Sequence, residues 1–140
     1  MIDWNAMTQE LKIDEGFKPC VYQCTAGKPT IGYGHNLEDN ELPEPIAENL
    51  LIHDYMKFYD KLCEHQWFCE MDDYRKRIII NMAYNIGISG LLRFRNMIAA
   101  IRNKDFNEAA DEMVNSNWYD QVGSRSVRLV KMMRNGPSSQ

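Results

Sequence analysis

The chain has 140 residues, 44% of them hydrophobic and 26% charged, a balance that fits one soluble domain with a real apolar core. The opening residues MIDWNAMTQELKIDEG mix acids with apolar groups and read as the start of a helix, not as a secretory signal, and no stretch is long and apolar enough to span a membrane. The formal net charge of −4 hides an asymmetry: residues 1–74 hold 5 Lys/Arg against 15 Asp/Glu, and residues 75–140 hold 11 against 5. A basic half suits either an anionic polymer partner or attraction between two oppositely charged parts of one chain.

In chain order, Asp3 is a candidate cap for a helix in which Trp4, Met7 and Leu11 recur at helical spacing, ending at the Gly of IDEG. Residues 17–36 switch to short β-prone runs among glycines and prolines, which predicts a small antiparallel sheet with a turn at Ala26-Gly27-Lys28. After the acidic loop LEDNELPEP, Pro45 suits the first turn of a long helix carrying Ile46, Leu50, Leu51, Tyr55, Phe58 and Leu62. Residues 72–86 start with two acids and become apolar on nearly every side, the pattern of a central buried helix, with Gly87 placed to close it.

Shorter helices are expected over 92–103, over 105–115 with Asp105 as cap and Phe106, Ala109, Ala110, Met113 and Val114 inward, and over 124–134 with Ser124 as cap and Val127, Val130 and Met133 on one face. The final GPSSQ reads as an unstructured tail. The fold class is therefore α+β, mostly helical.

Cys20, Cys24, Cys63 and Cys69 read as free thiols, since neither pair has the tight spacing of a zinc site; no metal and no cofactor are expected. The basic residues of the C-terminal half are spread over several helices, and the turn NIGISGLL is apolar. A helix-turn-helix reading of residues 78–101 is therefore disfavoured, and no nucleic-acid partner is expected. The basic amphipathic SVRLVKMMR is short and reads as a packing helix before a membrane-surface one.

Glycoside hydrolysis needs a carboxylic acid to protonate the leaving oxygen and a second group that activates or positions water. Glu15, at the junction of the first helix and the glycine-rich segment, is a candidate for the first role, although an acid at a helix end is by itself usually only a solvated surface group. The segment IDEGFKPCVYQCTAGKPTIGYGHNL resembles the N-terminal signature of the phage T4-type lysozymes, glycoside hydrolase family 24. In that pattern a Glu is followed after eight residues by Asp or Cys, after five more by Thr, and then by IGxGH; here these positions are Glu15, Cys24, Thr30 and residues 31–35. The likeness resumes at IINMAYNIG and NSNWYDQVGSRSVRLV and covers most of residues 10–135.

The resemblance implies a lysozyme-like fold: a sheet lobe over about 15–45, a bridging helix over about 45–65, and a helical lobe over about 66–135 joined by residues 1–14. It implies Glu15 as general acid, Cys24 and Thr30 on the attacking water, and Gly34, Leu37, Tyr84, Asn85, Gln121 and Arg125 as substrate contacts, with Arg125 pairing Glu15 or Asp14. His35 and Asp54 become a structural ion pair, and Trp118 and Met82 core residues. The activity implied is hydrolysis of the β-1,4 bond between N-acetylmuramic acid and N-acetylglucosamine in peptidoglycan. The setting implied is a monomeric endolysin that waits in the host cytoplasm for a holin pore. A lytic transglycosylase and a catalytically weak wall-binding protein are the alternatives, because Cys24 replaces the Asp form of the motif and a neutral thiol is a poor base.

Overall fold

The computed structural model describes residues 1–137; the last three residues of the tail lie outside the described residues. The element order is α1 (Trp4–Glu15), β1 (Lys18–Gln23), β2 (Pro29–Gly32), β3 (His35–Asn36), α2 (Glu44–Leu62), α3 (Gln66–Cys69), α4 (Asp73–Leu92), α5 (Arg95–Arg102), α6 (Phe106–Val114), α7 (Asn117–Val122) and α8 (Ser124–Asn135). This is the expected α+β class: one helix, a three-stranded antiparallel sheet in the order β1-β2-β3, then helices. The chain divides into two compact units, Met1–Asn49 and Leu50–Gln140, with the boundary inside α2.

In the first unit, the Asp3 carboxylate accepts the Ala6 N–H at 3.0 Å and starts α1 as anticipated. Gly16, at φ 71°, ends the helix with its N–H on Lys12 O. No residue of α1 is buried. The hairpin from β1 to β2 turns through residues 24–28: the Cys24 N–H bonds Lys28 O at 3.0 Å and the Gly27 N–H bonds Cys24 O at 2.8 Å. Tyr22 then faces Thr30, and Thr30 faces Asn36. Beyond β3 the acidic loop is pinned by the Asn36 Oδ1, which accepts the N–H groups of Glu38 and Asp39, and by the ion pair between Lys28 and Asp39.

The apolar core belongs to the second unit. Leu62, Phe68, Ile78, Ile79, Met82, Ala83, Leu91, Met97, Met113, Leu129 and Met133 are all fully or almost fully buried there. α4 runs through this core, and its nearly all-round apolar sequence is the reason it can. Its backbone breaks at Gly87, at φ 80° and ψ 164°, and a further helical turn carries on to Leu92. The Gly87 stop is thus present as a kink inside a longer helix.

Three details differ from expectation. α8 is capped by Gly123, with Ser124 already inside the helix, and Gly123 at φ 73° takes a backbone conformation that a serine adopts only at a cost. Val127 is 52% exposed, whereas Leu129 fills the core. Val114, the last residue of α6, is exposed as well, while Ala109, Ala110 and Met113 point inward. Both valines lie at the edge of an apolar stripe, where a shift of one helical position decides burial.

Asp72 begins α4 by accepting the Arg75 N–H at 2.9 Å, and it also pairs with Arg75 Nη1 at 3.1 Å. The same guanidinium donates from Nε to Met133 O at 2.7 Å, tying the start of α4 to the end of α8. Asp72→Ala removes the cap and the partner that orients Arg75, and is expected to lower stability by about 1–2 kcal/mol in urea unfolding. An unchanged midpoint would show that Arg75 holds the helix start without it.

Candidate active site

Glu15 closes α1, and the positive φ of Gly16 turns the chain straight into β1. The Glu15 side chain lies back over the β2–β3 corner: a Cβ added to Gly34 would sit only 2.9 Å from Glu15 Oε2 and 3.4 Å from its carboxyl carbon. Gly34 itself is at φ 74°. The backbone angle favours glycine there, and the carboxylate tip lies in the space a side chain would take.

The same small unit holds Cys24 and Thr30. Thr30 is buried, 2% exposed, and its hydroxyl donates to Lys28 O at 2.9 Å, which fixes its orientation inside the hairpin. The Cys24 thiol is held below the ordinary thiol range. The main causes are the backbone N–H groups of Lys28 and then of Ala26, which favour the thiolate; partial burial opposes them, and the Thr30 side chain adds to the lowering. Neither a helix end nor Arg125 is among these causes; the lowering comes from the turn's own amides. Because the folded pKa is depressed, the thiolate contributes stability that is present above the unfolded thiol pKa and is lost as pH falls through the folded value.

Cys24 should accordingly reach half its maximal rate with iodoacetamide at a lower pH in the folded protein than in the urea-unfolded chain. Peptide mass mapping at a series of pH values resolves it from Cys20, Cys63 and Cys69, and a midpoint at or above that of the unfolded chain would mean the turn amides do not stabilise the thiolate.

His35 pairs with Ile31 across the β2–β3 register, and its buried Nε2 has no hydrogen-bond partner among the described residues. Leu37 is at the edge of exposure, its N–H bonded to Pro29 O at 2.9 Å.

In the second unit, α4 presents Asn81, Tyr84 and Asn85 within just over one turn. Tyr84 is 41% exposed, with its ring edge-on to Phe58 at 6.0 Å. Asn85 Oδ1 accepts the Trp118 Nε1–H at 3.0 Å, which leaves the amide NH₂ of Asn85 for other partners. Trp118 and Met82 are buried, as expected of core residues. Arg125, near the start of α8, donates from Nε to Asn81 Oδ1 at 2.8 Å and from Nη2 to Asn81 O at 3.1 Å. With Tyr84 it lines a hollow of about 530 Å³ that also takes in Leu51, Tyr55 and Leu129. Gln121 is exposed on α7. Asp54 Oδ1 lies 3.6 Å from His53 Nδ1.

The phage lysozyme family profile matches residues 12–135. A protein named probable T4-type lysozyme 1 from Dictyostelium discoideum is 30% identical, over 90% of this chain and 92% of its own length; probable T4-type lysozyme 2 from the same organism is 25% identical over 94% and 95%. The pre-baseplate central spike protein Gp5 of Enterobacteria phage T4 is 24% identical over 94% of this chain, which spans 28% of that protein.

The chain belongs to the phage lysozyme family. The class that follows is a lysozyme-like peptidoglycan hydrolase, and the T4-type resemblance seen in the motif is the correct one. In the first unit the Glu15 carboxylate lies against Gly34, and the Thr30 side chain lies beside Cys24; in the second unit α4 carries Tyr84 and Asn85, and α8 carries Arg125. Sequence reasoning missed Asn81. A lone Asn inside the apolar run IIINMA was the available signal, because a polar residue in such a helix needs a partner. Among the described residues no helix is long and apolar enough to cross a membrane, and no group of three or more His, Cys, Asp or Glu side chains is set to hold a metal ion.

Proposed function

We propose that this lysozyme-family chain is an N-acetylmuramidase that hydrolyses the β-1,4 bond between N-acetylmuramic acid and N-acetylglucosamine. Glu15 protonates the leaving oxygen, and Cys24 with Thr30 positions and partly activates the attacking water. The observation that carries the reading is the carboxylate of Glu15 laid against Gly34 in the same small unit as an amide-stabilised Cys24 and a fixed Thr30. A lowered thiol pKa raises the thiolate share of Cys24 at a given pH, which supports this role, since a thiolate accepts a proton where a thiol does not.

In this proposal Gly34, Leu37, Tyr84, Asn85, Gln121 and Arg125 contact the glycan: the ring of Tyr84 stacks on a sugar face, and the amides bond acetamido groups. Arg125 acts from its seat on Asn81. His35 and Asp54 are proposed as a structural pair, and the buried His35 Nε2, which has no hydrogen-bond partner among the described residues, is the observation in its favour. The biological role proposed is that of a monomeric endolysin, held in the host cytoplasm until a holin opens the way to the wall.

The test is mass analysis of the fragments that the protein releases from purified peptidoglycan. Reducing muramic acid ends are expected. Ends in 1,6-anhydro form would make the protein a lytic transglycosylase, and wall binding without fragments would make it a binding protein.

A further inference from the structure

Cys63 and Cys69, both free and exposed, meet at the junction of α2 and α3 inside the Leu50–Gln140 unit. Cys63 is the first residue after α2, with its N–H still bonded to Tyr59 O at 2.9 Å, and Cys69 is the last residue of α3. The chain turns through residues 63–65: the N–H of Glu64 bonds Lys61 O, that of His65 bonds Leu62 O, and His65 O then accepts the Cys69 N–H at 3.2 Å. This turn carries the Cys69 sulfur back to the end of α2, where its thiol donates to Cys63 O at 3.2 Å. One helical turn earlier, the Tyr59 hydroxyl is hydrogen-bonded to the Cys63 thiol. That bond, then the charge of Cys63, then burial, and then the charges of Asp73 and Cys69 hold the Tyr59 pKa above the usual phenol value. Both thiols therefore lie close to one hydroxyl, and neither has a part in the muramidase reading.

We infer that Cys63 and Cys69 are a redox-active pair, a modification site at which a low-molecular-weight disulfide closes a bridge from the end of α2 to the end of α3. A disulfide needs its two α-carbons about 4.4–6.8 Å apart, and a sulfur of one residue resting on the carbonyl of the other is a contact that neighbours of that order make. The step is thiol–disulfide exchange. One cysteine thiolate attacks a sulfur of the small disulfide, forming a mixed disulfide and releasing one small thiolate. The second cysteine thiolate attacks the protein-side sulfur of that mixed disulfide and releases the other. Two protein thiols are oxidised, one small disulfide is reduced to two thiols, and the two protons pass to the released thiolates. The bridge acts on α3, which at four residues is too short to hold a helix by itself yet carries Trp67 and Phe68 into the core. Closing it fixes the residue next to Phe68 to the end of α2 and removes freedom from the unfolded chain. The clamp is open where small thiols are abundant and closed where they are oxidised.

The experiment treats the folded whole protein with glutathione disulfide, blocks the remaining thiols with iodoacetamide under denaturing conditions, and maps tryptic peptides by mass. Cleavage after Lys61 and Arg75 gives one peptide, residues 62–75, that holds both cysteines and neither Cys20 nor Cys24. This peptide is expected to lose two hydrogens and take up no iodoacetamide, and dithiothreitol applied before the blocking step should restore two alkylated cysteines. The thermal midpoint of the oxidised protein should rise by about 4–8 °C over the reduced one. Cys63→Ser and Cys69→Ser, both at exposed positions, should unfold where the reduced wild type does and show no such rise on the same treatment, which separates the bridge from glutathione bound at Cys24. Glutathione adducts on both cysteines in place of the bridge would overturn the inference. So would two alkylated cysteines after oxidation, a bridge from either residue to Cys20 or Cys24, or a bridge between Cys63 and Cys69 that leaves the midpoint unchanged.

Discussion

Glu15→Gln is expected to reduce the release of soluble fragments from peptidoglycan by about a hundredfold to ten-thousandfold, the range supplied by a positioned general acid. Gln has the shape of Glu and can occupy the same space against Gly34, so the hairpin and the end of α1 have no reason to rearrange. What is lost is the proton: an amide cannot protonate a departing glycosidic oxygen at neutral pH, and the alkoxide would have to leave unassisted. Thermal unfolding of the variant should stay close to that of the wild type, because Glu15 is exposed and its replacement leaves no buried group unpaired. Retention of more than a tenth of the wild-type rate, with stability unchanged, would mean that another group supplies the proton.

Phe68→Ala is expected to have the largest effect on stability, a loss of about 3–5 kcal/mol. Phe68 sits on α3, a helix of only four residues, yet it is fully buried. Its ring meets Tyr59 edge-on at 5.9 Å and Trp67 at 6.2 Å, and Lys76 Nζ lies 5.8 Å from its centre. Removing the ring leaves a cavity between α2, α3 and α4 that neighbouring side chains fill only in part. Urea unfolding reads the loss directly, and in thermal unfolding it corresponds to roughly 10–15 °C. A loss below about 1 kcal/mol would show that α3 can collapse onto the core without its anchor.

Much of this architecture is written locally. Asp3 and Gly16 bracket α1, the glycine-rich hairpin follows from its turn residues, and the all-round apolar α4 can only be a core helix. α3 and α7 were not legible because four and six residues are too few for a period to show, although Ser116 does cap α7 by accepting the Tyr119 N–H. The cap of α8 went to Gly123 because a backbone turn at positive φ, not a side-chain oxygen, starts that helix.

The candidate site divides in the same way. Glu15, Cys24 and Thr30 follow from motif spacing within sixteen residues. The seat of Arg125 on Asn81, 44 residues away in sequence, and the amides that lower the Cys24 pKa belong to folded geometry and leave no mark on a string of residue types.

The close approach of Glu15 to Gly34 also makes the site sensitive to handedness. An L-residue at position 34 meets both a disfavoured backbone angle and the carboxylate. A D-alanine introduced by chemical ligation would find φ 74° comfortable and would point its methyl group along the other hydrogen of the glycine, away from Oε2. The two reasons for glycine thus become separable: mirror-image alanine should preserve the acid's position and stiffen the β2–β3 corner, while its natural enantiomer pushes the proton donor off the sheet.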